Sequence, residues 1–210
     1  ALSGVGAMST PALGAPLGLS ETPLIVSIDV PPNVMLLIDN SGSMDEVVWH
    51  KDYQPETNYP AATYFAGISW GAEVSFNIDA TSTYYMAAFR QGTCAAGQFR
   101  FRNTAGNSVC LALPSPSGAL TRFKGNYLRF LVDRRPVDIP SDSRMSVARN
   151  VARQLVLDNP GIRFGVTRLN APRTDRQGNV TNAGPGGTVI ADCGSAQETL
   201  VSRIDGLLAD

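Results

Sequence analysis

The sequence predicts an α/β protein: a doubly wound sheet whose chain is interrupted, after the first core strand, by a long aromatic-rich β insertion. Three observations carry this. Val34-Met35-Leu36-Leu37-Ile38-Asp39 is a continuous apolar run ending in a carboxylate, the pattern of a strand buried on both faces in a parallel sheet. Past residue 140, helical and strand periodicities alternate, an order that puts ligand sites at the carboxyl ends of strands. Between the two, composition changes: 15 of the 16 aromatic residues lie between Trp49 and Phe130, so that stretch needs packing of its own.

Taken in order, residues 1–22 carry no basic segment and are broken up by Gly, Pro and Ser, which reads as an extended N-terminal segment rather than a signal peptide. Leu24 to Val30 is a strand candidate that either extends the sheet or pairs with the insertion. Pro31-Pro32 then sets the start of a core strand over 33–39. Residues 23–45 and 121–210 form the α/β part, and 46–120 the inserted β-rich subdomain. Inside the insertion, Gln98 to Arg102 and Ser108 to Leu113 alternate as strands around the turn-prone Asn103-Thr104-Ala105-Gly106-Asn107. Met145, Ala148, Val151, Ala152, Leu155 and Val156 recur at helical spacing behind a Ser141 cap, and Asn159-Pro160-Gly161 ends the run, giving a helix over 142–158. A strand over 162–169 follows, then a long turn over 170–187 and a short strand over 188–191. Ser195-Ala196-Gln197-Glu198 is a capping box opening a helix over 196–209, with Leu200, Ile204, Leu207 and Leu208 on one face.

Composition excludes several classes. No apolar stretch approaches the ~20 residues of a membrane helix. Seventeen Lys plus Arg stand against 18 Asp plus Glu, which argues against a nucleic-acid binder held by bulk positive charge. Charge is nevertheless segregated: residues 21–60 hold seven acids and one Lys, residues 90–135 eight cations and one Asp. With Phe99, Phe101, Phe123, Tyr127 and Phe130 interleaved, the basic stretch reads as a solvated face over packing aromatics in preference to an anionic-surface binder. None of the three cysteines has C-x-x-C spacing. Cys94 and Cys110 bracket the hairpin, either as a disulfide in an oxidising compartment or as two buried thiols in a reducing one, and Cys193 is left over.

The residues richest in chemistry are Asp39-Asn40-Ser41-Gly42-Ser43-Met44. A carboxylate and two hydroxyls spaced two apart at a strand end turn into one concavity where Gly42 permits a tight bend. These hard oxygens suit Mg²⁺ or Mn²⁺, with Ca²⁺ as a further candidate, and nothing soft enough for zinc or copper sits beside them. Asp45 and Glu46 read as first-turn acids of a helix start. No nucleophile elbow, Walker loop or H-E-x-x-H is present, and His50, the only histidine, reads as a packing or exposed residue rather than a triad member.

D-x-S-x-S at the end of an apolar strand resembles the metal-ion-dependent adhesion motif of von Willebrand factor type A domains, and V-M-L-L-I-D-N-S-G-S-M reproduces strand, loop and following methionine together. The resemblance narrows with Pro23-Leu24, Val30-Pro31-Pro32-Asn33-Val34, the aromatic insertion, Phe123-Lys124-Gly125-Asn126-Tyr127-Leu128-Arg129-Phe130-Leu131, and Arg144 with Val147-Ala148. Together these look like the N-terminal region of PilY-type tip proteins of bacterial type IV pili, over roughly a third of the chain.

That resemblance implies an incomplete type A domain, the front part of a longer protein whose C-terminal β-propeller docks on minor pilins. It implies a non-enzymatic component of the pilus tip that promotes surface adhesion and pilus assembly, toward a host or abiotic surface. The alternatives are a structural subunit that primes or caps the pilus with a vestigial metal site, or an unrelated secreted type A adhesin. Carried over residue by residue, Ser41 and Ser43 ligate the ion directly and Asp39 holds it through water. The Thr and Asp of the family's other two loops are not identified; Thr188 and Asp192 merely sit at a strand start and a strand end. Metal binding by this chain alone is expected to be weak or absent. Export through the periplasm to the cell surface favours the Cys94–Cys110 disulfide. The insertion is expected at the rim of the binding face, with Trp49, Tyr53, Tyr59, Tyr64, Phe65 and Trp70 partly a small core and partly that rim.

Overall fold

Two separate hydrophobic cores organise the chain, and the segment carrying the Asp-Ser-Ser motif runs between them. A computed structural model describes residues 30–169, 173–174, 180–181 and 186–209. The chain divides into units 1–30 and 31–210, and the fold below is that of the second. The N-terminal segment 1–22, the strand candidate 24–30 apart from Val30, and most of the turn over 170–187 lie outside the described residues.

The elements in chain order are strands β1 (Asn33–Ile38), β2 (Thr63–Ser69), β3 (Ala72–Asn77), β4 (Thr83–Tyr85), β5 (Gln98–Arg102), β6 (Ser108–Ala112) and β7 (Arg122–Lys124), then helices α1 (Gly125–Arg134) and α2 (Arg144–Asp158). Strands β8 (Arg163–Leu169), β9 (Arg173–Thr174), β10 (Val180–Thr181) and β11 (Gly187–Ala191) follow, and helix α3 (Gln197–Asp205) is last. The architecture is mixed α/β.

The first core is built on a three-stranded sheet of order β1-β8-β11, with β1 parallel to β8 and β11 antiparallel to it. Val34 stands opposite Phe164 and Leu36 opposite Val166, so alternate residues of both strands share one face. Helices α2 and α3 cover that face, bringing Met145, Ala152, Val156, Leu200 and Ile204 onto Ile38, Phe164 and Val166. Their burial supplies the driving force for this half of the fold.

The opposite face departs from the expectation of a strand buried on both sides. Met35 and Leu37 of β1 and Val189 of β11 are 44%, 63% and 51% exposed, because no described element lies over them. Among the described residues β1 also stands at the edge of its sheet. An all-apolar run therefore signals a core strand without fixing whether one face or two are covered.

The helix caps also differ. Ser143, not Ser141, caps α2: its Oγ accepts from Ser146 N at 3.2 Å, while Ser143 N donates to Ser146 Oγ at 3.0 Å. The capping box expected at Ser195 does not form. Ser195 Oγ donates instead to the Asp192 carbonyl at 2.8 Å, closing the turn after β11, and α3 begins at Gln197 behind Ala196 without a side-chain cap.

The second core belongs to the aromatic stretch. β3-β2-β5-β6 form an antiparallel sheet, and β4 pairs with β7 in a separate ribbon. Phe101, Val109 and Leu111 from this sheet meet Phe89, Phe123 and the buried side of α1, where Tyr127, Leu128 and Leu131 are fully enclosed. Rings pack edge to face or tilted, as Phe89 does against Tyr64 and Phe101, a geometry their quadrupoles favour. Helix α1 thus belongs to the aromatic cluster, so the sequence boundary at residue 120 passes between elements that share one core.

The expected hairpin is present as β5 and β6, with Asn107 N donating to Asn103 Oδ1 across its turn. Cys94 and Cys110 are joined by a disulfide with Cα atoms 5.7 Å apart, fastening the turn before β5 to the edge strand β6. Such a bond fits an oxidising compartment. No helix among the described residues is long and apolar enough to cross a membrane. Cys193 is a free thiol whose Sγ lies 3.9 Å from the Val34 carbonyl.

The disulfide closes a loop with a sequence separation of 16 residues. Reduction, or Cys94→Ala with Cys110→Ala, is expected to remove about 3 kcal/mol of stability. Urea unfolding with and without a thiol reductant measures it, and unchanged midpoints would show that the hairpin holds without the bond.

Candidate metal-binding loop

β1 delivers the motif to the carboxyl end of the sheet and ends there, because Ser41 takes an extended conformation and a 3₁₀ turn, Gly42–Asp45, begins. Asp39 folds back over this turn: Ser41 N donates to Asp39 Oδ1 at 2.8 Å. The hydroxyls of Ser41 and Ser43 are 2.9 Å apart, and Met44 N donates to the Ser41 carbonyl at 2.8 Å. The three residues named from the sequence therefore share one turn, the two hydroxyls paired and the Asp39 carboxylate on the Ser41 amide, with Asp39 and Ser41 exposed and Ser43 half-buried.

The donor set suits a small hard cation. Ligand oxygens about 2.1 Å from an octahedral Mg²⁺ stand about 3 Å apart at adjacent corners, the spacing the two serine hydroxyls already have. Among the described residues, no group of three or more His, Cys, Asp and Glu side chains is placed to hold a metal ion. A cation at this loop would rest on hydroxyl oxygens, one carboxylate and water. Thr188 lies at the same end of the sheet, since Ile38 pairs with Arg168 and Arg168 with Thr188. It is nonetheless two strand spacings away, about 10 Å. Asp192 follows the far end of β11 and its carbonyl serves the turn to α3.

Gly42 leaves room for a close approach. A Cβ there would run into the guanidinium of Arg122, which packs against the loop from β7. Sequence reading missed this neighbour because the two residues are distant in the chain.

Glu46 also departs from expectation. It is not a helix-start residue; it leaves the 3₁₀ turn in extended conformation and is buried. Its carboxylate receives Arg144 Nη2 at 2.6 Å and Lys124 Nζ at 3.2 Å. Its backbone bridges Arg122, and Arg144 N donates to its carbonyl at 2.9 Å. Asp45 does lie in the first turn of the 3₁₀ segment.

The aromatic residues divide. Tyr53 and Tyr59 are only 9% and 5% exposed and pack tilted and edge to face against Phe130, so they are core residues and not a rim; their rings fill the space between the 50–59 segment and α1. Burial also pushes the Tyr53 and Tyr127 hydroxyls above the usual phenol range. Tyr59 still borders a cleft of about 390 Å³ with Asp52, Gln54 and Arg134. Phe65 is buried and Tyr64 half-buried. Trp49 is half-buried, with the Arg144 guanidinium carbon 5.5 Å from its ring centroid. Trp70 alone of this set is fully exposed, at the two-residue turn Trp70-Gly71 between β2 and β3, where φ is 53° and 78°. His50 is buried against Phe130; its Nδ1 accepts from Asp52 N at 3.2 Å and its N donates to Tyr127 Oη at 3.0 Å.

Much of the basic stretch is consumed internally. Arg100 and Arg102 share Glu73 at 2.6 and 2.8 Å, and Arg129 donates to the Ile78 carbonyl at 2.6 and 2.9 Å. Arg90 donates to the Ala87 carbonyl at 2.7 Å.

Comparison with protein-family models, with curated proteins and with solved structures gives no match. Function is therefore argued from the loop and its surroundings.

Removing the charge of Glu46 leaves Arg144 and Lys124 facing a neutral amide at a site 4% exposed. Because the two cations left behind are 42% and 40% exposed, Glu46→Gln is expected to cost about 1–2 kcal/mol, less than loss of one partner from a fully buried pair. Urea titration reads this directly, and a loss below about 1 kcal/mol would place the cluster among ordinary surface pairs.

Proposed function

We propose that the chain is a non-enzymatic adhesion module of the von Willebrand factor type A kind, acting at a type IV pilus tip of the PilY type and contributing to surface attachment and pilus assembly. The observation that carries the reading is the convergence of Asp39, Ser41 and Ser43 in one turn at the carboxyl end of β1. The parallel β1–β8 pair, with α2 lying between the two strands in the chain, is the unit from which a doubly wound sheet is built. The disulfide supports a route through an oxidising compartment to the cell surface.

In this reading Ser41 and Ser43 offer hydroxyl oxygens directly to Mg²⁺, Mn²⁺ or Ca²⁺, and Asp39 acts through water while its Oδ1 keeps the turn closed through Ser41 N. When bound, the ion supplies Lewis-acid attraction for an acidic group of the ligand.

The second reading is a structural subunit that primes or caps the pilus and keeps a vestigial metal loop. Arg122 favours it, because a fixed positive charge against Gly42 weakens cation binding.

The two are separated by Mn²⁺ titration of the chain, followed by calorimetry or paramagnetic broadening. Adhesion predicts saturable binding that weakens about tenfold or more in Ser43→Ala, and loss of attachment by pili carrying that substitution. Intact attachment with no Mn²⁺ binding, together with loss of pili on deletion, would leave the structural reading.

A further inference from the structure

Arg122 has chemistry that the cation reading does not use. Its guanidinium lies against Gly42, in the middle of the Asp39–Ser43 loop, and its Cζ sits 5.0 Å from the centroid of the Tyr85 ring. Nε is buried with no hydrogen-bond partner. Among the described residues the guanidinium has no ion-pair partner either, in contrast to Arg100, Arg102 and Lys124 of the same basic stretch. The residue is half-buried and held over Tyr85, so its charge is without a counter-charge while its outer nitrogens can meet an anion. The neighbouring hydroxyls add a donor. Of Ser41 Oγ and Ser43 Oγ, 2.9 Å apart, only one can donate to the other, so one O–H remains for a ligand.

The fork of an arginine takes a carboxylate through two parallel bonds. A single monocation with Asp39 on the same loop suits a monoanion better than a phosphate dianion. Against it, Tyr85 is 41% exposed, apolar ground that suits an acidic side chain with apolar neighbours better than a hydroxylated sugar acid. We propose that Arg122, backed by Tyr85 and set against the Asp39–Ser43 loop, is a metal-independent seat for the carboxylate of an acidic peptide segment in a protein partner. The seat goes beyond the adhesion reading because it requires no cation.

The test is an NMR titration of the chain in EDTA with a capped peptide holding one Asp between two Leu, against its Asn counterpart and glucuronate. The expected result is a shift of the Gly42 amide and the Arg122 Nε–H signal by the Asp peptide alone, about tenfold weaker or worse in Arg122→Met. Arg122→Lys, which keeps the charge and loses the fork, is expected to fall between. The wild-type signals do not depend on any variant folding. An equal response to the Asn peptide, tighter binding of glucuronate, or shifts that appear only after Mg²⁺ is added would overturn the seat. The last result would support the cation reading at the same time, whereas Asp-peptide binding in EDTA without any Mn²⁺ binding would leave the seat and remove the metal.

Discussion

Three consecutive residues, Glu46, Val47 and Val48, tie the two cores to each other and to the loop. Glu46 bridges β7 through its backbone, Val47 N donates to the Arg122 carbonyl at 3.1 Å, and Val48 N donates to the Asp142 carbonyl at 2.8 Å. The Glu46 carboxylate then meets one cation from β7 and one from the first turn of α2. A buried charge costs several kcal/mol unless paired, so the arrangement is stable only when strand β7, helix α2 and the exit of the loop are all in place. The turn that gathers Asp39, Ser41 and Ser43 closes locally through Asp39 Oδ1, and the clamp fixes where its exit lies against β7 and α2.

The aromatic stretch is built as a second core and not as a decoration of the first. Its rings pack on one another and on α1, and its edge strand β6 is tied down by the disulfide. A β sheet of short strands has a poor ratio of buried to exposed surface, and enclosing Tyr127, Phe123 and Phe101 compensates with large apolar area per residue. Placing this core directly after the loop gives the loop a neighbour on β7, and that neighbour brings Arg122.

The loop therefore lies between opposite electrostatic demands. Asp39 and the serine oxygens attract a cation, while Arg122 across Gly42 attracts an anion. An acidic ligand carrying an ion meets both, an acidic ligand alone meets only the demand of Arg122, and an uncharged surface meets neither. The hydroxyl pair is neutral between them, since it offers lone pairs to a cation and one free O–H to an anion.

Local chemistry determined much of this in the sequence alone. The apolar run 34–38, the turn residues Asn103 to Asn107, the periodicity of α2 and α3 and the bend at Gly42 are each set by neighbours a few residues away. The convergence of Asp39, Ser41 and Ser43 follows from their spacing in one turn. What only the tertiary structure decided rests on distant partners. Helix α1 is short, lies inside the aromatic stretch and opens with Gly125-Asn126, poor helix formers, so its packing in the aromatic core defines it. Tyr53 and Tyr59 look like surface aromatics until Phe130 arrives to bury them. Ser143 supplants Ser141 as a cap, and Glu46 becomes a clamp, because β7 and α2 meet there. Arg122 reaches Gly42 only through the pairing of β7 with the chain after the loop, a long-range contact for which no pattern in the sequence stands.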